Sequence, residues 1–164
     1  DVIIAGKLRA PGNPELAIGA VTEDGRVWLN EGVAAMSGAD SEYVEMEKES
    51  RLAMVRDRLA RYRAVKEKVD LADRTVIIAD DGLATGSTMT AAIEAASAAG
   101  AKGIIVAVPG GPADTVERIG RMKEVLRVLC PLAPTAFYAV SQLYLDFTPV
   151  EDDTVIELLK GFSD

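Results

Sequence analysis

Two runs of consecutive apolar residues, TVIIA (75–79) and GIIVAV (103–108), enclose an alanine-rich stretch, TMTAAIEAASAA (88–99), that closes at Gly100. Runs that are apolar at successive rather than alternate positions predict strands covered on both faces, which is the setting of a parallel sheet. Parallel neighbours need a crossover, and the stretch between them has the composition and terminal glycine of a helix. A second helical pattern at 112–122 begins with Pro112 just inside its first turn, with acids behind it, and leads to a further strand at 125–129. Strand, helix, strand, helix, strand predicts an α/β fold with a doubly wound, mainly parallel sheet flanked by helices.

The rest of the chain departs from this rhythm. Residues 2–5 read as a strand. In LAIGAVTEDGRVWL (16–29) two short apolar runs flank EDG, which predicts a β-hairpin inserted beside the sheet. Residues 42–63 predict an amphipathic helix with Leu52, Val55, Leu59 and Tyr62 on one face, and with Glu47/Arg51 and Asp57/Arg61 as i,i+4 pairs on others. A last helix is expected at 152–160, ending at Gly161. A length of 164 residues fits a single domain over 1–164.

Composition removes whole classes of chemistry. The chain has no histidine, so Ser-His-Asp and Cys-His relays and histidine metal sites are excluded. Catalysis must then use carboxylates, Lys, Tyr, backbone dipoles or a cation held by oxygens. Eighteen Lys plus Arg against 26 Asp plus Glu give a net charge of -8, which opposes tracking along nucleic acid. Cys130 is the only cysteine, and no apolar run has membrane-spanning length. A cytoplasmic protein with neither a nucleic-acid nor a membrane partner is expected.

The junction after the first apolar run carries the chemistry. Asp80 and Asp81 fall at the carboxyl end of a predicted parallel strand, where open α/β sheets bind ligands, and they can meet one ligand if the strand stops there, as Gly82 allows. Adjacent carboxylates repel, a cost relieved by hydroxyl donors or a divalent cation. A sugar diol supplies two such donors. Next come Ala84, Thr85, Gly86, Ser87 and Thr88, leading straight into the Ala-rich helix, so that backbone N–H groups, the helix dipole and three hydroxyls can converge on an anion. Gly86 leaves the backbone open to a phosphate, and Thr88 is expected to start the helix. Acids for a diol followed by a seat for a phosphate describe a ribose 5-phosphate. The plain alternative is a strand, a turn and an N-capped helix with solvated aspartates. GxxxxGK[ST], GxGxxG and GxSxG are absent from the run.

VIIADDGLATGST resembles the phosphoribosyl-pyrophosphate motif of the type I phosphoribosyltransferases, with Gly82 as a mild exception. KLRAPGNPELAIGAV (7–21) and APTAFYAVSQLYLDF (133–147) are similar to segments of a bacterial and archaeal branch of that family. The resemblance implies that Asp80 and Asp81 hold the ribose 2- and 3-hydroxyls and are the catalytic residues, lending negative charge near the sugar, that residues 82 and 84–88 wrap the 5-phosphate, and that Mg²⁺ assists the pyrophosphate leaving group, touching Asp80 and Asp81 indirectly. It implies phosphoribosyl pyrophosphate and a nitrogenous base as substrates, with release of pyrophosphate, a C-terminal hood and a homodimer. Lys7 and Arg9 are candidates to reach the pyrophosphate, or else exposed charges at a strand end. Phe137 and Tyr138 are candidates to stack on the base, with core packing as the alternative. The 6-oxopurine branch has an Asp where this chain has Ala84, which speaks against a hypoxanthine or guanine acceptor. The family also carries an earlier strand and a pyrophosphate loop, so either a segment of about 30 to 50 residues precedes Asp1 or this chain has lost that half of the site, and Asp1 in place of a methionine favours the former. Rival readings are a non-catalytic module that senses the same ligand and a ribose-phosphate hydrolase.

Overall fold

Two sheets of opposite character organise the chain. The computed structural model describes residues 1–162, which fall into two units, Asp1–Val69 with the residues from Pro149 onward, and Asp70–Thr148. The first holds β1 (Ala5–Ala10), β2 (Asn13–Thr22), β3 (Val27–Leu29), α1 (Glu31–Met36) and α2 (Ser41–Arg63). The second holds β4 (Thr75–Ala79), α3 (Ser87–Ala98), β5 (Gly103–Ala107), α4 (Ala113–Gly120) and β6 (Val125–Leu129). The last helix, α5 (Asp152–Lys160), returns to the first unit.

In the first unit the strands pair antiparallel in the order β1-β2-β3. The expected hairpin is present as β2 and β3, with Gly19 opposite Leu29 and Val21 opposite Val27. The strand expected at 2–5 is displaced: its ladder begins where Ala5 meets Thr22 and runs on through Lys7 and Arg9 to Ala10. Alternation explains the shift, since Leu8 and Ala10 are buried while Arg9 is exposed, whereas residues 2–4 lie outside the ladder. Leu8, Ile18 and Val21 form the core of this unit, with Tyr43, Val44 and Leu52 of α2 packed against it.

Helix α2 starts where Asp40 caps it, accepting from the Tyr43 N–H at 2.8 Å. Glu47 and Arg51 pair at 2.7 Å as expected. Arg61 instead donates to Asp152 Oδ2 at 2.9 Å and Asp153 Oδ1 at 2.7 Å, so the expected Asp57/Arg61 pair gives way to two carboxylates in the first turn of α5. Carboxylates there also suit the helix dipole. The Tyr62 hydroxyl donates to Asp152 Oδ1 at 2.7 Å.

In the second unit β4, β5 and β6 are parallel and adjacent in chain order, with Thr75 opposite Gly103 and Ala79 opposite Ala107. This is the expected parallel sheet with its helices. Ile78, Ile104 and Val106 from the sheet, Ile93 and Ala96 from α3 and Ile119 from α4 share one core. Coverage of both faces was expected, yet the strands alternate: Ile78 is buried, whereas Ile77 is 66% exposed and Leu126 64%. Within this unit α3 and α4 pack against the face that carries Ile78, Ile104 and Val106, and an apolar run cannot announce which of its two faces they will take. Among the described residues no helix is long and apolar enough to cross a membrane.

Burial pushes the Tyr62 phenol up to about 12, helped by its bond to Asp152, while that same bond, seconded by Arg58 and Arg61, holds the Asp152 carboxyl below its usual range. A carboxyl lowered on folding stabilises the fold above its unfolded pKa, and the gain is lost as pH falls through the folded value. Tyr62→Phe is therefore expected to cost about 0.5–1.5 kcal/mol at pH 7, with the gap to wild type closing once the pH is taken below the carboxylate range. Urea unfolding at the two pH values checks this.

Candidate functional site

The candidate site is built where β4 stops. The Asp80 N–H donates to Ala107 O at 3.3 Å, a last rung continuing the β4–β5 pairing, and the Asp81 N–H donates to Asp80 Oδ1 at 3.0 Å. Both aspartates are exposed, but two residues later Leu83 is 1% exposed and its N–H is fixed on Gly110 O at 2.9 Å. The backbone thus turns over residues 80–82, leaving both carboxylates outside the strand, as the sequence predicted. Gly82 is required by crowding: a Cβ there would lie 2.8 Å from Val140 Cγ1 and 3.2 Å from Gly110 O. Val140 opens a 3₁₀ turn (Val140–Leu143) in the segment expected to form the hood, and the Tyr144 hydroxyl just beyond it donates to Asp81 O at 2.6 Å.

Partial burial pushes the Asp80 carboxyl up; the N–H of Asp81 works against this and the charge of Asp81 adds to it. Burial raises Asp81 too, against the N–H groups of Asp81 and Gly82. An ionised pair at this turn is therefore under-solvated, and a ligand bringing two hydroxyl donors, or a cation, would relieve it.

From Leu83 the chain enters the loop. Gly86 has φ 72° and ψ 7°, a left-handed conformation, and serves as the N-cap of α3. The helix therefore begins at Ser87, one residue before the Thr88 start expected from sequence, and no side chain caps it. The physical reason is that Thr85 and Ser87 use their hydroxyls locally: the two oxygens lie 3.0 Å apart, and the Ser87 N–H donates to Thr85 Oγ1 at 3.4 Å. Ser87 is buried, whereas Thr85 and Thr88 are exposed. Among the described residues the N–H groups of Thr85, Gly86 and Thr88 donate no hydrogen bond within the chain. They open the first turn of a helix, where the dipole favours an anion.

Helix α4 closes the back of this loop. Thr115 Oγ1 donates to Ala84 O at 3.1 Å, and Arg118 Nη2 donates to Thr85 O at 2.5 Å. A Cβ at position 86 would lie 2.8 Å from Arg118 Nη2 and 2.9 Å from Thr115 Cγ2. Gly86 is thus demanded by its left-handed backbone, and a Cβ there would also press on Thr115 and on the end of the Arg118 side chain.

Asp80, Asp81, Gly82, Ala84, Thr85, Gly86, Ser87 and Thr88 are therefore brought together in one turn and helix start. Tyr138 lies in the same unit, 90% exposed, with its N–H donated to Gln142 Oε1 at 2.9 Å; Phe137 is half-buried. Lys7 and Arg9 belong to the other unit, on β1, where with Arg51, Arg58, Asp57 and Asp152 they line a cleft of about 370 Å³. Thr115, Arg118, Val140 and Tyr144 were not singled out from sequence. A signal did exist for the first two: PGGP ends at the start of a helix that follows a strand's carboxyl end, and such a helix presents its first turns to the same crevice. Among the described residues no three or more carboxylates and cysteines gather as a metal site, so a cation here would need oxygens from its ligand as well as from Asp80 and Asp81.

A family profile described as phosphoribosyl transferase domain matches residues 3–148. Two proteins of Mycobacterium tuberculosis, named "Putative phosphoribosyl transferase MT0597" (strain CDC 1551 / Oshkosh) and "Putative phosphoribosyl transferase Rv0571c" (strain ATCC 25618 / H37Rv), are each 38% identical over 159 residues. That alignment takes in 97% of this chain and 35% of either relative, so the chain spans about a third of their length. The crystal structure of TT1426 from Thermus thermophilus is similar over all of this chain and 76% of its own, with 37% identity and a TM-score of 0.77.

Gly86→Ala is expected to cost about 1–2 kcal/mol from the left-handed backbone alone, with the crowding against Arg118 and Thr115 added to it. Denaturant unfolding of the two proteins measures the difference, and an equal stability would show that the loop relaxes away from α4.

Proposed function

The chain belongs to the phosphoribosyl transferase family, and on that premise we propose that it binds phosphoribosyl pyrophosphate at the carboxyl end of β4 and transfers the phosphoribosyl group to a nitrogenous base. One observation carries the reading. Within nine consecutive residues, 80–88, two exposed carboxylates of raised pKa are followed by three unengaged N–H groups at a helix start. A ribose 5-phosphate has the matching order, a diol and then a dianion.

In the proposed step the C1–O bond to pyrophosphate breaks, with the electron pair leaving on pyrophosphate. A C1–N bond forms from the lone pair of the base, which releases its proton. Positive charge develops on the sugar ring as the bond opens, and Asp80 and Asp81 place negative charge beside it. They also orient the ring through its hydroxyls, and the loop fixes its other end, which supplies the alignment that displacement needs. Mg²⁺ suits this chemistry because it neutralises charge on the leaving pyrophosphate; Asp80 and Asp81 would share in holding it together with oxygens of the ligand and water. Ala84 brings a methyl group, with no carboxylate to take a proton from a base, so the reading favours an acceptor other than a 6-oxopurine.

The test incubates the intact protein with phosphoribosyl pyrophosphate, Mg²⁺ and a panel of nitrogenous bases, following pyrophosphate. Release that depends on one base is expected. Release without a base would replace transfer by hydrolysis, and binding without turnover would leave a ligand-sensing module. In the variant carrying both Asp80→Asn and Asp81→Asn the affinity should fall roughly a hundredfold, the loss of two charge-assisted hydrogen bonds. Because a carboxyl raised on folding costs stability above its unfolded pKa, the same variant should melt no lower than wild type at pH 7. Ligand affinity in wild type should decline as pH falls into the raised carboxyl range, which calorimetry at several pH values would follow.

A further inference from the structure

We infer that Arg118 and Thr115 of α4 are positioning residues: they turn the peptide planes of the loop so that its N–H groups face a phosphate monoester. The inference rests on the reading of residues 84–88 as a phosphate seat. A trans peptide is planar, and its C=O and N–H point in opposite directions. With Ala84 O held by Thr115 Oγ1 at 3.1 Å, the N–H of Thr85 points away from α4. With Thr85 O held by Arg118 Nη2 at 2.5 Å, the N–H of Gly86 does so too. These two N–H groups are among those that donate no bond within the described chain.

A tether is needed at this point because the peptide between Thr85 and Gly86 borders a glycine, the residue that least resists rotation of that plane. Were the plane to flip, a carbonyl oxygen would meet the anion. Helix α4 is a firm support for the tethers, since Ile119, next to Arg118, is fully buried in the core shared with β5 and α3. The guanidinium reaches Thr85 O by passing beside Gly86, where a Cβ would stand 2.8 Å from Nη2. Its charge adds a second effect. A cation on the carbonyl end of a peptide polarises the unit, so the N–H at the other end becomes a better donor. An acidic chain of net charge -8 thereby brings positive charge to bear on an anion from behind the loop.

The test measures ribose 5-phosphate binding by calorimetry to the intact wild-type protein and to Arg118→Gln, Arg118→Lys and Thr115→Val, with melting temperatures alongside. Arg118→Gln is expected to weaken binding roughly tenfold and Thr115→Val a few-fold, with Arg118→Lys recovering much of the loss because it keeps charge at the carbonyl. In turnover, KM for phosphoribosyl pyrophosphate should rise more than kcat falls. A role in stability alone would lower the melting temperature of Arg118→Gln and Arg118→Lys alike and leave affinity intact, overturning the inference while the phosphate seat stands. Should Arg118→Gln fail to fold, Thr115→Val and Arg118→Lys decide on the same criterion. If wild type itself does not bind ribose 5-phosphate at millimolar concentration, the seat is wrong and the inference falls with it.

Discussion

Leu83 is sealed in the core while Asp80 and Asp81 stay outside it, and the chain makes that change within three residues. Everything at the candidate site follows from this constraint. The parallel ladder supplies the direction of approach, with the Asp80 N–H on Ala107 O continuing it past the strand, and the bond from Leu83 to Gly110 fixes where the turn must end. No side chain is allowed on the inside of the bend, since Val140 and the Gly110 carbonyl occupy the place where a Cβ of Gly82 would go. On the neighbouring strand's exit a Cβ of Gly111 would in turn lie 2.7 Å from that of Leu83. Close backbone packing therefore forces the acid pair outward and delivers the next residues, after one more glycine, to the start of α3.

Under the proposed reading of residues 84–88 as a phosphate seat, the distribution of charge is distinctive. The loop 84–88 contains no Lys or Arg. On that reading, attraction for an anion would come from N–H groups and the dipole of α3, held by the backbone of the helix start. The carboxylates stand only a few residues away, and a lysine in the loop would pair with them instead of the ligand. Uncharged donors avoid that contest. Arg118 contributes from the far side of the peptide planes, where the carbonyl of Thr85 occupies it.

What could be read from sequence, and what could not, divides along the range of the interactions. β4, β6 and α5 match the predicted boundaries, and the acid pair and loop sit at the strand exit, because apolar runs, a helix-ending glycine and a strand-ending glycine are local signals. The displaced first strand shows the limit of such signals: VIIA looks more like a strand than GKLRA, but pairing with β2 decided the ladder. Arg61 had a partner at helical spacing and took two others about 90 positions away. Thr115 and Arg118 act on carbonyls 31 and 33 positions back, and Tyr144 on one 63 back. A carbonyl is present at every residue, so no letter in the sequence marks the one that will be gripped.

The paired hydroxyls of Thr85 and Ser87 bear on whether the loop is ready for a ligand or closed by its own side chains. Each hydroxyl has one hydrogen to give, and only one is used between two oxygens 3.0 Å apart. Ser87 is buried and Thr85 exposed, so the arrangement that leaves no buried hydrogen idle has Ser87 donating to Thr85. Thr85 then keeps its own hydrogen for the outside, on an oxygen already polarised by the bond it accepts. A phosphate above the loop would meet that hydroxyl beside the N–H groups of Thr85 and Gly86, with no internal bond to break first. The local pairing that displaced the helix start from Thr88 to Ser87 thus leaves a hydroxyl donor facing outward and, on the proposed reading, would leave the seat open.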